Sequence, residues 1–366
     1  MPTYRAPGVH IDEVPRGPRR IEAVPTDLAA FVGVTGGDTD AALVTSIAEF
    51  ESRWPTGTAV ATAVELFLLG GGRQAWVAPV RRLTPKAVAR QIEGMHRDAT
   101  LVAIPSDPVA PPHVVGAAAA ALGDRRAMLL LEGPWPGTTE AESAMLAGAA
   151  SALGTDGADA AVFWPRVRRP TPEGTVEDVS PLGAVAGVFA RTDRTRGVWK
   201  APAGTHATLT GVSGPSIVVT AADQGVLNPL GVDVIRVLPR AGTVLWGART
   251  LSSDPEWRYI PVRRTALFLE ESIERGLDWV VFEPNDEPLW AAVRASVEDF
   301  LWGLFRAGAL QGHKPEHAFF VRCDRTTMTQ TDIDAGRLIC QVGVALVRPA
   351  EFTVLRVEAQ TATARP

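Results

Sequence analysis

The residues of this sequence that could carry out chemistry stand in short clusters rich in glycine or histidine. Gly70-Gly71-Gly72-Arg73 resembles a phosphate-binding loop, but the Lys-Ser/Thr pair that would hold phosphates and Mg²⁺ does not follow it. Gly211-Val212-Ser213-Gly214 lacks the Gly-x-Ser-x-Gly spacing of a hydrolase nucleophile. The first cluster therefore predicts a turn between a helix and a strand, and the second provides no nucleophile.

Two further clusters could bind metal. His313 and His317 are four residues apart with Glu316 between them, yet Pro315 lies in the same window and cannot occupy a helix interior, so the imidazoles are not expected to share a helical face. Asp332 and Asp334 alternate across one residue, but nothing completes a Ca²⁺ loop. They are interpreted as turn or cap residues. We expect no catalytic residue, no metal and no cofactor.

The composition describes a folded protein without a nucleic-acid or membrane signature. The 366 residues are 46% apolar and 21% charged, with a net charge of -5, so two or three folding units with sizeable cores are expected. The mild negative charge predicts no binding to nucleic acid. No apolar run reaches the ~18 residues of a membrane span, and the first residues lack the apolar stretch of a Sec signal. Cys323 and Cys340 are predicted to be reduced core thiols.

The first half of the chain alternates short apolar strands with helical patterns. This alternation predicts a largely parallel sheet covered on both faces, and hence an α/β fold. The predicted strands span 28–34, 74–80, 100–104, 127–131 and 158–164. The predicted helices span 45–53, 59–69, 85–95, 112–122 and 138–153. The Pro-rich segment 165–181, which carries the basic cluster Arg166, Arg168 and Arg169, is predicted to be a solvated loop.

The second half contains two long amphipathic helices. Apolar residues recur every three or four positions over 262–277 and again over 286–306, where Asn285 or Asp286 is the expected cap. Shorter strands are predicted at 207–211, 216–219, 233–237, 243–246, 318–323, 338–347 and 352–358, and a helix at 182–191. Glu270, Glu271 and Glu274 lie off the apolar stripe of the first long helix.

The first twenty residues contain an isolated strand pattern. Its members are Tyr4, Pro7, Gly8, Val9, Ile11 and Val14, and Pro15, Gly17 and Pro18 then interrupt any regular element. No neighbouring segment offers a hairpin partner. Two readings stay open from the residues alone, a frayed terminus or a strand that pairs elsewhere, including on another subunit.

The chain resembles the contractile tail sheath family, which includes the sheaths of contractile phage tails, R-type pyocins and contractile injection systems. The resemblance covers nearly the whole length and is strongest in the second half. The residues that carry it are Tyr4…Pro7-Gly8-Val9, Glu13-Val14, Ala30 to Thr35, Ser46 to Phe50, Val185 to Asp193, Arg196 to Pro202, Leu227-Asn228, Gly231-Val232, Trp246 to Leu251, Val262-Arg263-Arg264, Phe282 to Asp286, Leu289-Trp290, Gly308-Ala309-Leu310, Gly312 and Pro349-Ala350-Glu351-Phe352.

The resemblance implies a subtilisin-like α/β domain with a mostly parallel sheet and no catalytic triad, a smaller α+β C-terminal domain, and extended arms at both ends. On this basis the chain divides into an N-terminal strand-donating arm (1–20), the subtilisin-like domain (21–252), the C-terminal domain (253–351) and a C-terminal arm (352–366). The chain is short for the family and is similar to a compact pyocin or injection-system sheath.

The resemblance also implies function and partners. Such subunits form sixfold rings stacked helically around an inner tube, and neighbouring subunits exchange strands. Baseplate and cap proteins would be further partners, and assembly would take place in the bacterial cytoplasm without Sec export or direct membrane insertion. The strand-pairing residues would be the six N-terminal ones above together with Phe352, Val354, Leu355 and Val357. Glu270, Glu271 and Glu274 are candidates for contact with the tube.

Three other functions are considered beside this one. A hydrolase or a nucleotide-binding module would need motifs that the sequence lacks. A non-contractile tube or baseplate component of the same kind of particle is the nearest alternative, because it would share the partners but not the matching residues.

Overall fold

The computed structural model of the chain describes residues 19–37, 39–123, 125–133 and 157–351. Within these ranges the chain forms two compact units. The larger unit contains residues 25–268 and 346–351, and the smaller contains residues 19–24 and 269–345. The boundary between Phe268 and Leu269 falls inside one continuous helix, Ile260–Gly276.

The larger unit is built on an eight-stranded sheet with the strand order β11-β10-β6-β5-β4-β1-β3-β2. The six central strands are parallel, and the edge strands β2 and β11 each pair antiparallel with their neighbours. The strands are β1 Leu28–Val34, β2 Ala42–Val44, β3 Ala75–Val80, β4 Ala99–Ala103, β5 Met128–Glu132, β6 Ala160–Trp164, β10 Val232–Leu238 and β11 Gly242–Leu245.

Helices pack on both faces of this sheet, and each face has its own apolar core. The helices of this unit are α1 Ile47–Glu51, α2 Ala59–Gly70, α3 Pro85–Glu93, α4 Pro112–Leu122, α5 Leu182–Arg196 and α6 Ala221–Leu227. One core contains side chains of α2 and α5, and the other contains side chains of α3 and α4. The α/β fold with a largely parallel, doubly covered sheet is therefore confirmed.

Glycines allow α2 and α5 to pack closely. A Cβ added to Gly187 would lie 2.9 Å from the Cα of Gly70, a distance that real Cβ atoms do not show. Gly71, with φ of 114°, caps the end of α2, and the chain then turns into β3. The glycine-rich cluster at residues 70–72 is thus the predicted turn between a helix and a strand, with an additional role in helix packing.

The predicted loop over 165–181 is wrong. Residues of this segment form the hairpin β7 Val167–Pro170 and β8 Val176–Val179, and β7 also pairs with the short β9 Gly214–Pro215. The prolines lie at the end of β7 or outside the strands, and Arg169 binds Glu65 at 2.7 Å and Glu177 at 2.8 Å. The basic residues that indicated a solvated loop instead attach the hairpin to the body.

Two short strand predictions nearby are also wrong. At 207–211 only a single bridge forms, between Thr208 and Val244. Residues 216–219 make no strand, and Val218 is 83% exposed. Thr220 and Asp223 then form a capping box that starts the unpredicted helix α6. The helix predicted at 138–153 lies outside the described residues.

The smaller unit combines helices with a two-stranded sheet. Its elements are the second half of α7 Ile260–Gly276, the 3-10 turn Asp278–Val280, α8 Glu287–Arg306, α9 Pro315–Ala318, α10 Gln330–Asp334, β12 Phe319–Arg322 and β13 Gln341–Val344. Asp286 caps α8 by accepting a hydrogen bond from the Leu289 amide at 3.1 Å, as predicted. Among the described helices, none has the length and apolarity needed to span a bilayer.

A fully buried ion pair holds the centre of the larger unit. The Arg264 guanidinium donates to both carboxylate oxygens of Asp193, at 2.9 and 2.6 Å, and to the Thr26 carbonyl at 2.9 Å. Both charged side chains are at most 3% exposed. Burial raises the pKa of Asp193 even beside this arginine. Removing one partner of such a pair costs about 3–5 kcal/mol because the other charge is left buried alone, so the pair fixes α7, α5 and the entry to β1 in one arrangement.

Candidate assembly surface

The carboxyl edge of the central sheet is where α/β proteins commonly bind ligands. Here that edge holds a cluster of one arginine and the groups to which it donates hydrogen bonds. Arg166 follows β6 and is buried. It donates to Glu132 at the end of β5 (2.5 Å), to Asp107 (3.2 Å) and to the Ser106 carbonyl (3.0 Å), both of which follow β4. The guanidinium therefore joins the ends of three neighbouring strands.

The charged groups of this cluster bind one another. Burial raises the pKa of Glu132, although the positive charge of Arg166 opposes the effect. A general acid or nucleophile at this edge would need a side chain directed at a substrate, whereas the Glu132 carboxylate is bound to arginine. The contacts here support a structural role for the strand ends.

The structure also places the two clusters that were considered as metal ligands in the sequence. Pro315 begins the short helix α9, so His313 precedes the helix and His317 lies within it. Asp332 forms a capping box with Thr329 at the start of α10 and also accepts a hydrogen bond from Arg337. The hydrogen bonds from Thr329, followed by the one from Arg337, lower the pKa of Asp332 to about 2. In the ranges that the structure covers, no group of three or more His, Cys, Asp or Glu side chains is placed to hold a metal ion.

The residues predicted to pair strands between subunits lie outside the described residues. These are Tyr4, Pro7, Gly8, Val9, Ile11, Val14, Phe352, Val354, Leu355 and Val357. The structure does describe the points at which both segments join the folded units.

The N-terminal junction packs against α7 within the smaller unit. Ile21 is 4% exposed and Val24 9%. The Val24 amide donates to the Ser272 hydroxyl at 3.2 Å, and Gly276 leaves room for Ile21, since a Cβ there would lie 2.7 Å from the Ile21 side chain. Arg19 lies over the Trp279 ring at 4.8 Å. Residues 21–24 are thus part of the body.

The C-terminal junction is held by Glu351 within the larger unit. Arg249 donates to both carboxylate oxygens of Glu351, at 2.8 and 2.6 Å. Asn228 donates to Oε1 at 2.8 Å, and the Tyr259 hydroxyl donates to Oε2 at 3.1 Å. A bidentate arginine pair with two more donors fixes both the position and the orientation of this carboxylate.

Electrostatics favour the charged form of Glu351. Burial alone raises its pKa, but the hydrogen bonds from Arg249, Asn228 and Tyr259, together with the arginine charge, outweigh burial and leave the pKa below its ordinary value of 4.5. The carboxylate of Asp233 accepts a hydrogen bond from the backbone amide of Arg249 at 2.9 Å. Burial raises the pKa of Asp233 well above its ordinary value. Titration of Asp233 therefore changes the free energy of unfolding with pH in the opposite direction to titration of Glu351.

The sheet β12–β13 of the smaller unit presents two edges for pairing. The strands pair antiparallel from Phe319 opposite Val344 to Arg322 opposite Gln341. No other described strand pairs with the outer edge of β12 or with the outer edge of β13. Phe320 is 50% exposed and Val342 36%. Unpaired strand edges with exposed apolar side chains are sites at which another strand can add.

The acidic side of α7 is only partly exposed. Glu270 and Glu274 are exposed, whereas Glu271 is half-buried and its carboxylate binds Arg275 at 2.5 Å. The i,i+4 pair between Glu271 and Arg275 agrees with the sequence spacing. Two of the three predicted tube-contact residues therefore face solvent in this chain.

Comparison of the whole chain with solved structures then decides its family. The anti-feeding prophage (AFP) helical sheath in its contracted state superposes with a TM-score of 0.81 and is 32% identical, covering 97% of this chain and 99% of that one. The sheath complex of an extracellular contractile injection system, PVC, in the contracted state gives a TM-score of 0.80 at 29% identity, with 98% of each chain covered. The chain belongs to the contractile tail sheath family.

A family model and curated sequences agree with this membership over part of the chain. Residues 252–360 of this sheath protein match the phage tail sheath C-terminal domain. The tail sheath protein of Enterobacteria phage T4 is 27% identical over 178 residues, which are 48% of this chain and 26% of that one. The matched part spans less than half the length of each curated relative.

Sequence reasoning missed the role of the Glu351 cluster. Glu351, Arg249 and Asn228 each lie in a segment that carries the family resemblance, so a signal was present. Their positions, 102 and 123 residues apart from Glu351, gave no indication that they meet. Only the packing of β10, β11 and the segments after them brings these side chains together.

We predict that Glu351→Gln lowers the free energy of unfolding at pH 7 by about 1.5–3 kcal/mol, the usual range for hydrogen bonds to a charged group. The wild-type contribution is complete above pH 4.5 and is lost as the pH falls through the lower folded pKa, because the folded state favours the carboxylate. The difference between wild type and variant should therefore shrink in acid.

Urea denaturation of wild type and variant from pH 7 to pH 3 measures this difference. Glu93→Gln is the matched control, since Glu93 is exposed, belongs to the same unit and lies more than 100 residues from every member of the cluster in sequence. A Glu351→Gln variant as stable as wild type at pH 7, or a difference that stays constant into acid, would contradict the assignment.

Proposed function

We propose that this protein is the structural subunit of a contractile sheath, which polymerises around an inner tube and contracts to drive the tube through a target membrane. The observation that carries the proposal is the likeness, over 97% of the chain, to the AFP helical sheath in its contracted state. A catalytic role has no support in the site chemistry, because the charged groups at the sheet edge bind one another.

The proposed assembly depends on strand exchange between copies. Residues 1–20 and 352–366 would act as arms that add strands to the two outer edges of β12–β13 in neighbouring subunits. Backbone hydrogen bonds would supply affinity, and alternate side chains, such as Val9 with Ile11 and Leu355 with Val357, would set the register. A donor at one place and an acceptor at another make a heterologous interface, which propagates as rings or helices.

The polymer would need no fuel at the time of contraction. The extended sheath would be a kinetically trapped state, with the driving force built in during assembly. Burial of ~200 Å² more apolar surface per subunit would contribute about 5 kcal/mol at ~25 cal/mol/Å². Desolvation of polar groups reduces this to a few kcal/mol, but the sum over many rings is sufficient to move a rigid tube.

The proposed partners are further copies in a helical stack of sixfold rings, the inner tube, the baseplate and a cap protein. A baseplate contact is supported by a neighbour from the six-fold symmetrised AFP baseplate, which is 31% identical and matches 98% of this chain. A chain similar to this one therefore occurs in a structure of that particle's baseplate, which supports contact between the sheath and the baseplate. Assembly would take place in the bacterial cytoplasm, within a phage tail or a tail-like particle.

We further propose that the acidic side of α7 meets basic residues of the tube. Glu270 and Glu274 are exposed and one helical turn apart on the helix, so their carboxylates lie on one surface. Charge complementarity of this kind chiefly sets register and salt sensitivity.

Deletion of residues 1–18 tests the proposed function. The truncation retains the packed junction from Arg19 onward, so we expect a soluble chain with an unchanged thermal midpoint. It should form no tubes, because the donor strand is absent, while the wild type forms hollow tubes under the same conditions. Electron microscopy of the two purified proteins measures this.

A variant in which residues 1–18 are replaced by a Gly/Ser segment of equal length separates loss of the strand from loss of length. It should also fail to form tubes. Normal tubes from either variant would contradict the proposed arm, and a wild type that forms only discrete particles with tube protein present would contradict the sheath function itself.

Charge reversal tests the tube contact. We expect Glu270→Lys with Glu274→Lys to reduce sheath assembly on purified tubes at low salt, with a smaller effect at high salt as the charges are screened. Glu298→Lys with Asp299→Lys gives the same change in net charge on exposed positions of α8 and serves as the control. Co-sedimentation with tubes across salt concentrations measures the effect. Equal binding by both double variants at every salt concentration would reject the contact.

A further inference from the structure

The two cysteines of the chain face each other at one end of the β12–β13 sheet. The register pairs Arg322 with Gln341, so the next opposing pair is Cys323 and Cys340. These are the protein's two cysteines, and they do not form a disulfide in this structure. Residues that oppose each other on antiparallel strands direct their side chains to the same face of the sheet.

The hydrogen-bond pattern makes Cys323 and Cys340 a non-hydrogen-bonded pair, the type in which the two opposing Cα atoms lie closer together. Ala318, just before β12, accepts a hydrogen bond from the Ala345 amide at 2.8 Å, and this pair has the same register as the strands. Bonded and non-bonded pairs alternate along an antiparallel ladder, so Cys323 and Cys340 fall on a non-bonded pair. There the Cα atoms are about 4.5 Å apart, within the range of roughly 4.4–6.8 Å that a disulfide spans.

The surroundings give the two thiols different roles. Cys323 is fully buried in an apolar cluster with Leu289, Trp290 and Val293 of α8, whereas Cys340 is half-buried. A hydrogen bond between the thiols raises the pKa of Cys323, which burial raises further, and lowers that of Cys340. Cys340 is therefore the more accessible and more acidic thiol, and Cys323 is the sheltered partner beside it.

We propose that Cys323 and Cys340 are a redox-active dithiol that closes to a cross-strand disulfide when the protein meets a small-molecule disulfide such as oxidised glutathione. The bond would tie together the strand ends and enclose residues 324–339, which include α10. The chain would carry the reduced pair in a reducing compartment and the oxidised pair after release into an oxidising one. This inference is independent of the proposed sheath function.

The reaction proceeds by two exchanges that balance. The Cys340 thiolate attacks one sulfur of oxidised glutathione, which forms a mixed disulfide and releases one glutathione thiolate. The Cys323 sulfur then attacks the Cys340 sulfur, and the second glutathione leaves and takes up the proton that Cys323 gives up. The two protein thiols are oxidised by two electrons in total, and one glutathione disulfide is reduced to two thiols.

The test uses the purified full-length chain, reduced and then exposed to oxidised glutathione. We expect thiol titration to fall from two reactive groups per denatured chain to none, with a monomeric product on a non-reducing gel. Peptide mass spectrometry should recover the 323–340 link without glutathione attached. Two thiols that remain reactive, or a link formed only between chains, would overturn the proposal.

Single variants test the order of events with one cysteine each. Cys323→Ser should retain one glutathione on Cys340, because the resolving thiol is missing. Cys340→Ser should acquire glutathione at least 10-fold more slowly, because Cys323 is buried. Equal rates in the two variants would contradict the assigned roles, and the wild-type link provides a readout that does not depend on the folding of either variant.

Discussion

A subunit that shares its first and last segments with neighbours must hold them firmly where they leave its own body. In this chain the two junctions are fixed by different means. Ile21 and Val24 are buried against α7, and Glu351 is bound by Arg249, Asn228 and Tyr259. A bidentate arginine pair keeps its geometry under load better than an exposed side chain, since any displacement breaks two charged hydrogen bonds together. Tension on an arm would therefore be passed to the body.

Buried charged contacts make the larger unit rigid internally. Asp193 and Arg264 form an ion pair in its centre, and Arg166 joins three strand ends where a related architecture would bind a ligand. Such buried charges add little net stability compared with apolar residues, but an alternative packing would leave a charge unpaired. They favour one arrangement over others. A sheath that changes shape would then do so by movement of subunits, with the fold of each subunit unchanged.

Sequence reasoning predicted the repetitive parts of this fold well. The strand at Leu28–Val34 and the helix at Pro112–Leu122 have the predicted bounds, because continuous apolar runs and helical spacing are local properties. The failures have a common cause. The hairpin after β6 is held to the rest of its unit by Arg169 and the distant Glu65, and the bound state of Glu351 depends on Arg249, which is 102 positions away. Such contacts leave no periodic signal, so only the packed structure reveals them.

The central claim is that anchored junctions hold arms that pair with other copies, and a cryo-EM reconstruction of the assembled polymer at side-chain resolution tests it directly. The account predicts that residues 1–18 and 352–366 each add a strand to β12–β13 of a neighbouring subunit. It also predicts that Ile21 and Glu351 keep the contacts within their own subunit that they have here. A polymer in which both arms lie on the sheet of their own subunit, or in which the Glu351–Arg249 pair is broken, would contradict the account.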